Sequence, residues 1–215
     1  MIPHRHTNRL PFTEQPVPDK LLCLLQLMAR GEGAWLCLVG DENARDLMAD
    51  LVETGDLIRW ADKLSRYELA AWMRPRGHLS SDGVPGYALD PDDLLGYADR
   101  SVIRTVNLGA DQVVKDRRLV INAPVLAVLG TDADSPAAWL AAGQALGRVV
   151  LCACALGVCT SFLSQPTASP VLRVRLHETM RRVLSKAVFP QLLLRLGYGP
   201  EVKPTPRRSV EEVTI

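Results

Sequence analysis

The residues from Ser135 to Phe162 constrain the fold of this chain more than any other stretch. Ser135-Pro136 is a helix start: a hydroxyl N-cap, then a proline whose missing N–H costs nothing in the first turn. From Trp139 and Leu140 through Leu146, Val149, Val150 and Leu151 to Cys159 the run is almost wholly apolar. Its strongly polar interruptions, Gln144 and Arg148, stand one helical turn apart and share a side. A helix apolar nearly all round is either a membrane span or the buried centre of a sizeable fold. Arg148 in the middle and the many Ala and Gly residues argue for the second. Gly143 and Gly147 leave a strip where another backbone can approach closely, from the same chain or from a second subunit. The stretch therefore reads as the long buried central helix of an α+β core, facing a subunit neighbour.

A chain of 215 residues is one ordinary domain, 1–215, large enough to bury a core. Apolar residues make up 47% and the net charge is only +1, so no general attraction to nucleic acid or to an anionic membrane follows. Any anion site must be local. The N-terminus, Met1-Ile2-Pro3-His4-Arg5, lacks the apolar core of a signal peptide, and a cytoplasmic protein is expected. Cys23, Cys37, Cys152, Cys154 and Cys159 all lie in apolar runs. Residues two apart on a helix do not share a face and no histidine is near, so these read as buried reduced thiols rather than metal ligands.

Residues 1–17 hold three prolines and form an extended arm containing Arg5-His6-Thr7-Asn8-Arg9. Alternate side chains of an extended segment share a face, so Arg5, Thr7 and Arg9 are expected to point one way. Two guanidinium forks around a hydroxyl make either a phosphate clamp or a solvated basic arm. A helix opens at Pro18 and closes at Gly31-Glu32-Gly33, and Ala34–Val39 is a buried strand. Helices are expected over 41–52 and about 55–73. Breakers dominate 75–95, which reads as a lid or an irregular insertion. Residues 96–117 show no periodicity. Leu119–Leu129 reads as a strand broken at Pro124, 172–183 as a helix, Pro190–Leu196 as a strand, and 201–215 as an extended tail with a second basic pair, Arg207-Arg208.

No zinc helix, Walker loop, nucleophile elbow or GxGxxG is present, and no acid–base or nucleophilic group can be assigned. What remains is a basic cluster at each end of the chain. Arg5-His6-Thr7-Asn8-Arg9 resembles the N-terminal Arg-x-Ser/Thr-x-Arg/Lys motif of the FMN-dependent nitroreductases. Pro190–Val213 resembles the last strand and tail of that family. Gly143–Leu146, Ala155-Leu156-Gly157 and Gln165-Pro166 are similar to its central helix and flavin-facing turn. Tyr67–Pro75 and Asp82–Pro85 are most like the Acg branch, FMN-binding proteins built from two fused repeats, and the match is to the C-terminal repeat.

The resemblance implies a nitroreductase-like α+β fold with an antiparallel-rich central sheet flanked by helices, bound FMN, and hydride transfer from NAD(P)H to a small acceptor. It implies that Arg5, Thr7 and Arg9, with the backbone of His6, hold the FMN phosphate and ribityl chain. Arg207 and Arg208 would close on the same phosphate, and Ser164 and Gln165 would approach the flavin ring, which does the redox chemistry itself. One departure stands out. Where the family carries Asn-x-Gln-Pro-Trp, this chain reads Arg30-Gly31-Glu32-Gly33-Ala34-Trp35. The flavin site is then expected to need a partner, a homodimer or a partner repeat. A non-catalytic flavin-binding or flavin-sequestering protein is the alternative to an enzyme.

Overall fold

The computed structural model describes residues 2–76, 82–89, 93–185 and 188–214. In chain order, helix α1 (Asp19–Arg30) leads to strand β1 (Trp35–Leu38), and helices α2 (Glu42–Ala61) and α3 (Lys63–Trp72) to two short strands, β2 (Met73–Arg74) and β3 (Val84–Pro85). Helices α4 (Arg100–Thr105) and α5 (Gly109–Ile121) precede β4 (Val125–Thr131), α6 (Pro136–Ala155) and β5 (Cys159–Leu163). The chain continues through α7 (Gln165–Ala168), α8 (Pro170–Leu184), β6 (Phe189–Gly197) and α9 (Val210–Val213).

The main sheet has the order β1-β4-β6-β5, with every neighbouring pair antiparallel. The central strands β4 and β6 are covered on both faces, which is why their sequences are apolar runs rather than alternations. The period of two in a strand divides their side chains between two layers. Ala127, Leu129, Leu194 and Leu196 pack with Leu25 of α1 and Ala145 and Val149 of α6. Leu126, Val128 and Leu193 pack with Met48 and Val52 of α2, Val120 of α5 and Leu176 and Met180 of α8. Arg195 follows Leu193 at a spacing of two and so falls on this second face. Gly130 is required by that packing, because a Cβ there would lie 2.2 Å from the Trp35 ring. A third cluster, built around Trp60, Met73, Leu89, Leu95 and Ile103, joins α2 and α4 to the segment between β3 and α4.

The architecture is the α+β one expected, an antiparallel sheet between helices. Several elements differ from the sequence-based expectation. The central helix ends at Ala155, not Phe162, because Gly157 adopts φ +71° and turns the chain into β5. It is buried on one side only: Ala142, Ala145, Val149 and Ala153 face the sheet and α1, whereas Trp139 and Leu140 are exposed and nothing lies within 4 Å of a Cβ built on Gly143 or Gly147. By length and composition α6 passes the test for a membrane-crossing helix, as a core helix can. Leu119–Ile121 continue α5 rather than begin a strand, since Val113 and Val120 are two turns apart on one buried helical face. The α2 helix runs on to Ala61, and the break comes at Asp62, whose carboxylate caps α3 by accepting from Ser65 N at 2.9 Å.

The tail has no regular element until Val210. Ser209 and Glu212 form a capping box that starts α9, and Tyr87 donates its hydroxyl to the Pro204 carbonyl at 3.1 Å. Of the expected lid, 75–95, residues 77–81 and 90–92 lie outside the described residues. Leu89 and Leu95 are core members, and Gly86 meets Gly96 so closely that a Cβ would fall 2.0 Å from the Gly96 carbonyl oxygen.

Gly55 shows how tightly α2 is fitted to α7, with a Cβ there falling 2.6 Å from Gln165 Cβ and 3.1 Å from its carbonyl carbon. Replacing a helical glycine by alanine normally stabilises by about 0.5–1 kcal/mol. Overpacking reverses the sign here, and Gly55→Ala is expected to lose about 1–2 kcal/mol in urea unfolding. A gain in stability would show that α2 and α7 are not in contact at this point.

Candidate functional site

The N-terminal arm is held against β5 and β6 by a short set of hydrogen bonds. Asn8 is almost fully buried; its N–H donates to Thr160 O at 3.1 Å and its amide to Pro200 O at 3.0 Å, while Leu10 N donates to its Oδ1 at 3.1 Å. From the sheet side, Arg195 Nη2 donates to the carbonyls of Leu10 (3.1 Å) and Asn8 (3.4 Å), and its guanidinium lies 4.3 Å from the Phe12 ring. With Asn8 fixed inward, its neighbours turn outward in alternation.

That alternation does not extend to Arg5, and residues expected to act together are separated. Thr7 and Arg9 line a cavity of about 330 Å³ bounded by α2, α5, the end of β5 and Arg195, and Ser164 and Gln165 line the same cavity. Arg5 and His6 instead line a second hollow, with Asn8, Cys154, Cys159 and Pro200. Arg207 lies outside both, donating to the Arg5 carbonyl at 2.8 Å, so it contacts the backbone of the arm rather than the first cavity. Arg208 is exposed and borders neither. A single clamp of Arg5, Thr7, Arg9 and Arg207 is therefore not assembled. Arg5 directly follows a 3-10 turn, Ile2–His4, and does not keep the alternation of Thr7 and Arg9.

The first cavity is rich in charge. Arg9, Arg59, Lys115 and Arg195 face Asp56, Asp93 and Asp116. Lys115 Nζ is paired with Asp93 at 3.0 Å. Gln165 spends both amide hydrogens on carboxylates, donating to Asp56 Oδ1 at 3.1 Å and Asp116 Oδ2 at 3.0 Å, and Gln112 donates to Asp116 Oδ1 at 3.2 Å. Burial pushes the Asp56 carboxyl up, the Asp116 charge pushes it further, and the result is about 8. Burial also raises Asp116, against which the contact with Asp56, the Gln112 hydrogen bond and the charges of Arg195 and Lys115 act. Burial lowers Arg195 to about 10, with Asp116 opposing.

Arg9 is different from the other cations. Burial lowers its pKa, no charged group offsets that, and among the described residues its guanidinium has no hydrogen-bond partner. A desolvated guanidinium beside a hydroxyl and an open cavity is a seat for an anion. Apolar side chains, among them Trp60, Leu69, Met73 and Leu89, form the rest of the wall and suit a flat aromatic body. The donor set and the wall thus fit a phosphorylated flavin. The tryptophan kept from the family's missing segment, Trp35, packs over Gly130 in the sheet and does not line the cavity. Among the described residues no group of three or more His, Cys, Asp or Glu could hold a metal ion.

Sequence reasoning missed Asp56, Arg59, Lys115, Asp116 and Arg195. One of them carried a signal: Arg195 is a lone charge inside the apolar strand Leu192–Leu196, and a buried charge demands partners. The others sit on ordinary amphipathic helices and look like solvated positions.

No protein-family model matches the chain. It is 30% identical over 219 residues to "Putative NAD(P)H nitroreductase Rv3131" of Mycobacterium tuberculosis H37Rv, a match covering 99% of this chain and 60% of that protein. It is 27% identical to "Putative NAD(P)H nitroreductase acg" of the same organism, covering 97% of this chain and 61% of that one. The chain thus spans about 60% of the length of the curated relatives it matches. Among solved structures, the FMN-dependent nitroreductase NfnB of Mycobacterium smegmatis, crystallised in complex with NADPH, superposes with a TM-score of 0.58 at 18% identity, covering 100% of this chain and 95% of that one. The fold is nitroreductase-like.

The raised Asp56 makes stability depend on pH in a defined direction. The folded chain holds a proton that the unfolded chain releases above about pH 4. The contribution of Asp56 to stability is therefore fully present below that point and is lost as pH rises through the folded value of about 8, by up to about 1.4 kcal/mol per pH unit. Urea unfolding between pH 5 and pH 8 is expected to show this decline, and Asp56→Asn to flatten it. A wild-type curve that rises over that range would contradict a protonated Asp56.

Proposed function

We propose that this chain belongs to the nitroreductase-like flavoproteins and forms an FMN-binding oxidoreductase that takes hydride from NAD(P)H to a small acceptor. The observation that carries the reading is Arg9: a half-buried, partly desolvated guanidinium without a protein hydrogen-bond partner among the described residues, lining with Thr7 a cavity whose walls suit a flat ring. The nitroreductase-like fold and the NAD(P)H nitroreductase names of the curated relatives support it. In this reading Thr7 and Arg9 hold the FMN phosphate. Arg5 and Arg207 act indirectly, tying the arm to the tail, and Ser164 and Gln165 border the ring. Bound flavin would supply the hydride chemistry, while the protein contributes position, charge and exclusion of water. The chain corresponds to the C-terminal repeat of the fused Acg-type branch, and its acceptor is a compact electrophile such as a quinone or nitroaromatic.

Loss of one guanidinium from a phosphate site costs on the order of 1.5–3 kcal/mol, roughly tenfold to hundredfold in affinity. Arg9→Ala is expected to weaken FMN binding by that factor and to leave riboflavin, which lacks the phosphate, nearly unchanged. Fluorescence titration of both flavins checks it, and equal losses for the two would remove the phosphate from Arg9.

A second copy or a partner repeat completes the site in this proposal. The open side of α6 supports it: Trp139 and Leu140 are exposed, and the Gly143 and Gly147 strip leaves room for another backbone. Sedimentation is expected to show a dimer that Gly143→Arg dissociates. A compact monomer at micromolar concentration, unchanged by flavin, would count against it.

A further inference from the structure

The carboxyl pair Asp56–Asp116 is unexplained by phosphate or ring binding. Asp56 comes from the buried side of α2, Asp116 from α5, and both are tied to the same nitrogen, Gln165 Nε2, at 3.1 and 3.0 Å. Two carboxylates on one donor are held too close for both to ionise without large mutual repulsion. Asp56 is only 2% exposed, and no N–H among the described residues reaches its Oδ2. A proton shared with Asp116, the carboxyl in hydrogen-bond contact with Asp56, would satisfy Oδ2. Both carboxyls line the cavity, and Asp116 is the more exposed of the two.

Resting on the flavin reading above, we infer that Asp56 and Asp116 hold one proton between them, and that Asp116 delivers it to the acceptor as the acceptor is reduced. The step balances for a quinone. The nicotinamide loses a hydride, which brings two electrons and one proton to the acceptor. The carboxyl O–H breaks as a new O–H forms on the acceptor oxygen, leaving hydroquinone and two ionised carboxylates. A proton from bulk solvent, reaching the pair through the open cavity, restores the one consumed. Asp116 is then the catalytic residue, and Asp56 a positioning residue that keeps the proton in place.

The charges around the pair are arranged for this exchange. Arg59 on α2, Lys115 on α5 and Arg195 on β6 favour ionised carboxylates, while Arg9 on the arm borders the same cavity. Burial, the mutual repulsion of the pair and the nearby Asp93, itself bonded to Lys115, oppose them. With these forces opposed, the proton is held at neutral pH yet remains removable, as a general acid requires. A group placed only to fill the interior would be more stable as a neutral amide or an apolar side chain.

The flavin-loaded protein tests this in two measurements. Infrared difference spectra are expected to show a protonated carboxyl band at pH 7, disappearing as pH rises past about 8 and missing in Asp56→Asn and in Asp116→Asn. Stopped-flow measurement with NAD(P)H and a benzoquinone is expected to show acceptor reduction slowed about 100-fold in Asp116→Asn, with flavin reduction unchanged and partial recovery in Asp116→Glu. Asp56→Asn, an isosteric change at a site already neutral, guards against loss of folding in the other variant and is expected to show the same selective slowing. A flavin-loaded wild type with no such band at pH 6 overturns the inference. So does an Asp116→Asn variant that reduces quinone at the wild-type rate. Failure of the flavin reading looks different: a colourless protein in which the carboxyl band persists.

Discussion

The buried guanidinium of Arg195 is the interaction on which the rest of the site depends. It stands on the central strand β6, 1% exposed, in an otherwise apolar row. Its hydrogen bonds go to backbone carbonyls of the N-terminal arm, its flat face to Phe12, and its charge to Asp116. A buried cation of this kind is tolerable only when its surroundings supply acceptors and a counter-charge. Here the acceptors come from one end of the chain and the counter-charge from α5. The arm is thereby fastened across the sheet, and Thr7 and Arg9 come to line the cavity.

Placement of the two acids follows from packing rather than from charge. Asp56 lies on the inner side of α2 beside Gly55, whose lack of a side chain lets Gln165 approach closely. Asp116 is brought opposite by α5, which packs along α2 through Val120. Gln165, at the start of α7 just after β5, reaches both. One amide therefore joins two helices and a strand end, and its hydrogen bonds set the distance between carboxyls that would otherwise repel. Rigidity of the cavity wall and unusual acidity are two consequences of the same contact.

The molecule also divides its apolar surface unevenly. One side of α6 completes the layer over Ala127, Leu129, Leu194 and Leu196, and the other keeps Trp139 and Leu140 in solvent. The pairing of Arg148 with Glu32 near the end of α1 tethers the polar edge of that helix. A helix that looks uniformly apolar in sequence is thus two surfaces in space, one used by the fold and one left open.

The sequence by itself determined the parts that follow from local pattern. The N-cap at Ser135-Pro136 and the buried runs that became β1 and β6 were legible from periodicity and turn chemistry, and the antiparallel sheet was what the family resemblance implied. So was a basic arm, and Arg9, Ser164 and Gln165 do border one cavity. Tertiary structure alone decided which of those residues meet. The grouping of Arg5 with Arg9 assumed an extended strand throughout, whereas the arm begins as a 3-10 turn, Ile2–His4, and Arg5 lines another hollow. The end of α6 rested on a single glycine at positive φ, and Leu119–Ile121 on whether their apolar side chains repeat at two or at about 3.6 residues, a choice short runs do not settle. Asp56, Asp116 and Arg195 lie far apart in the chain and look ordinary one by one. Their chemistry exists only because folding removes water from all three at once, and desolvation is a property of position in space that no local pattern encodes.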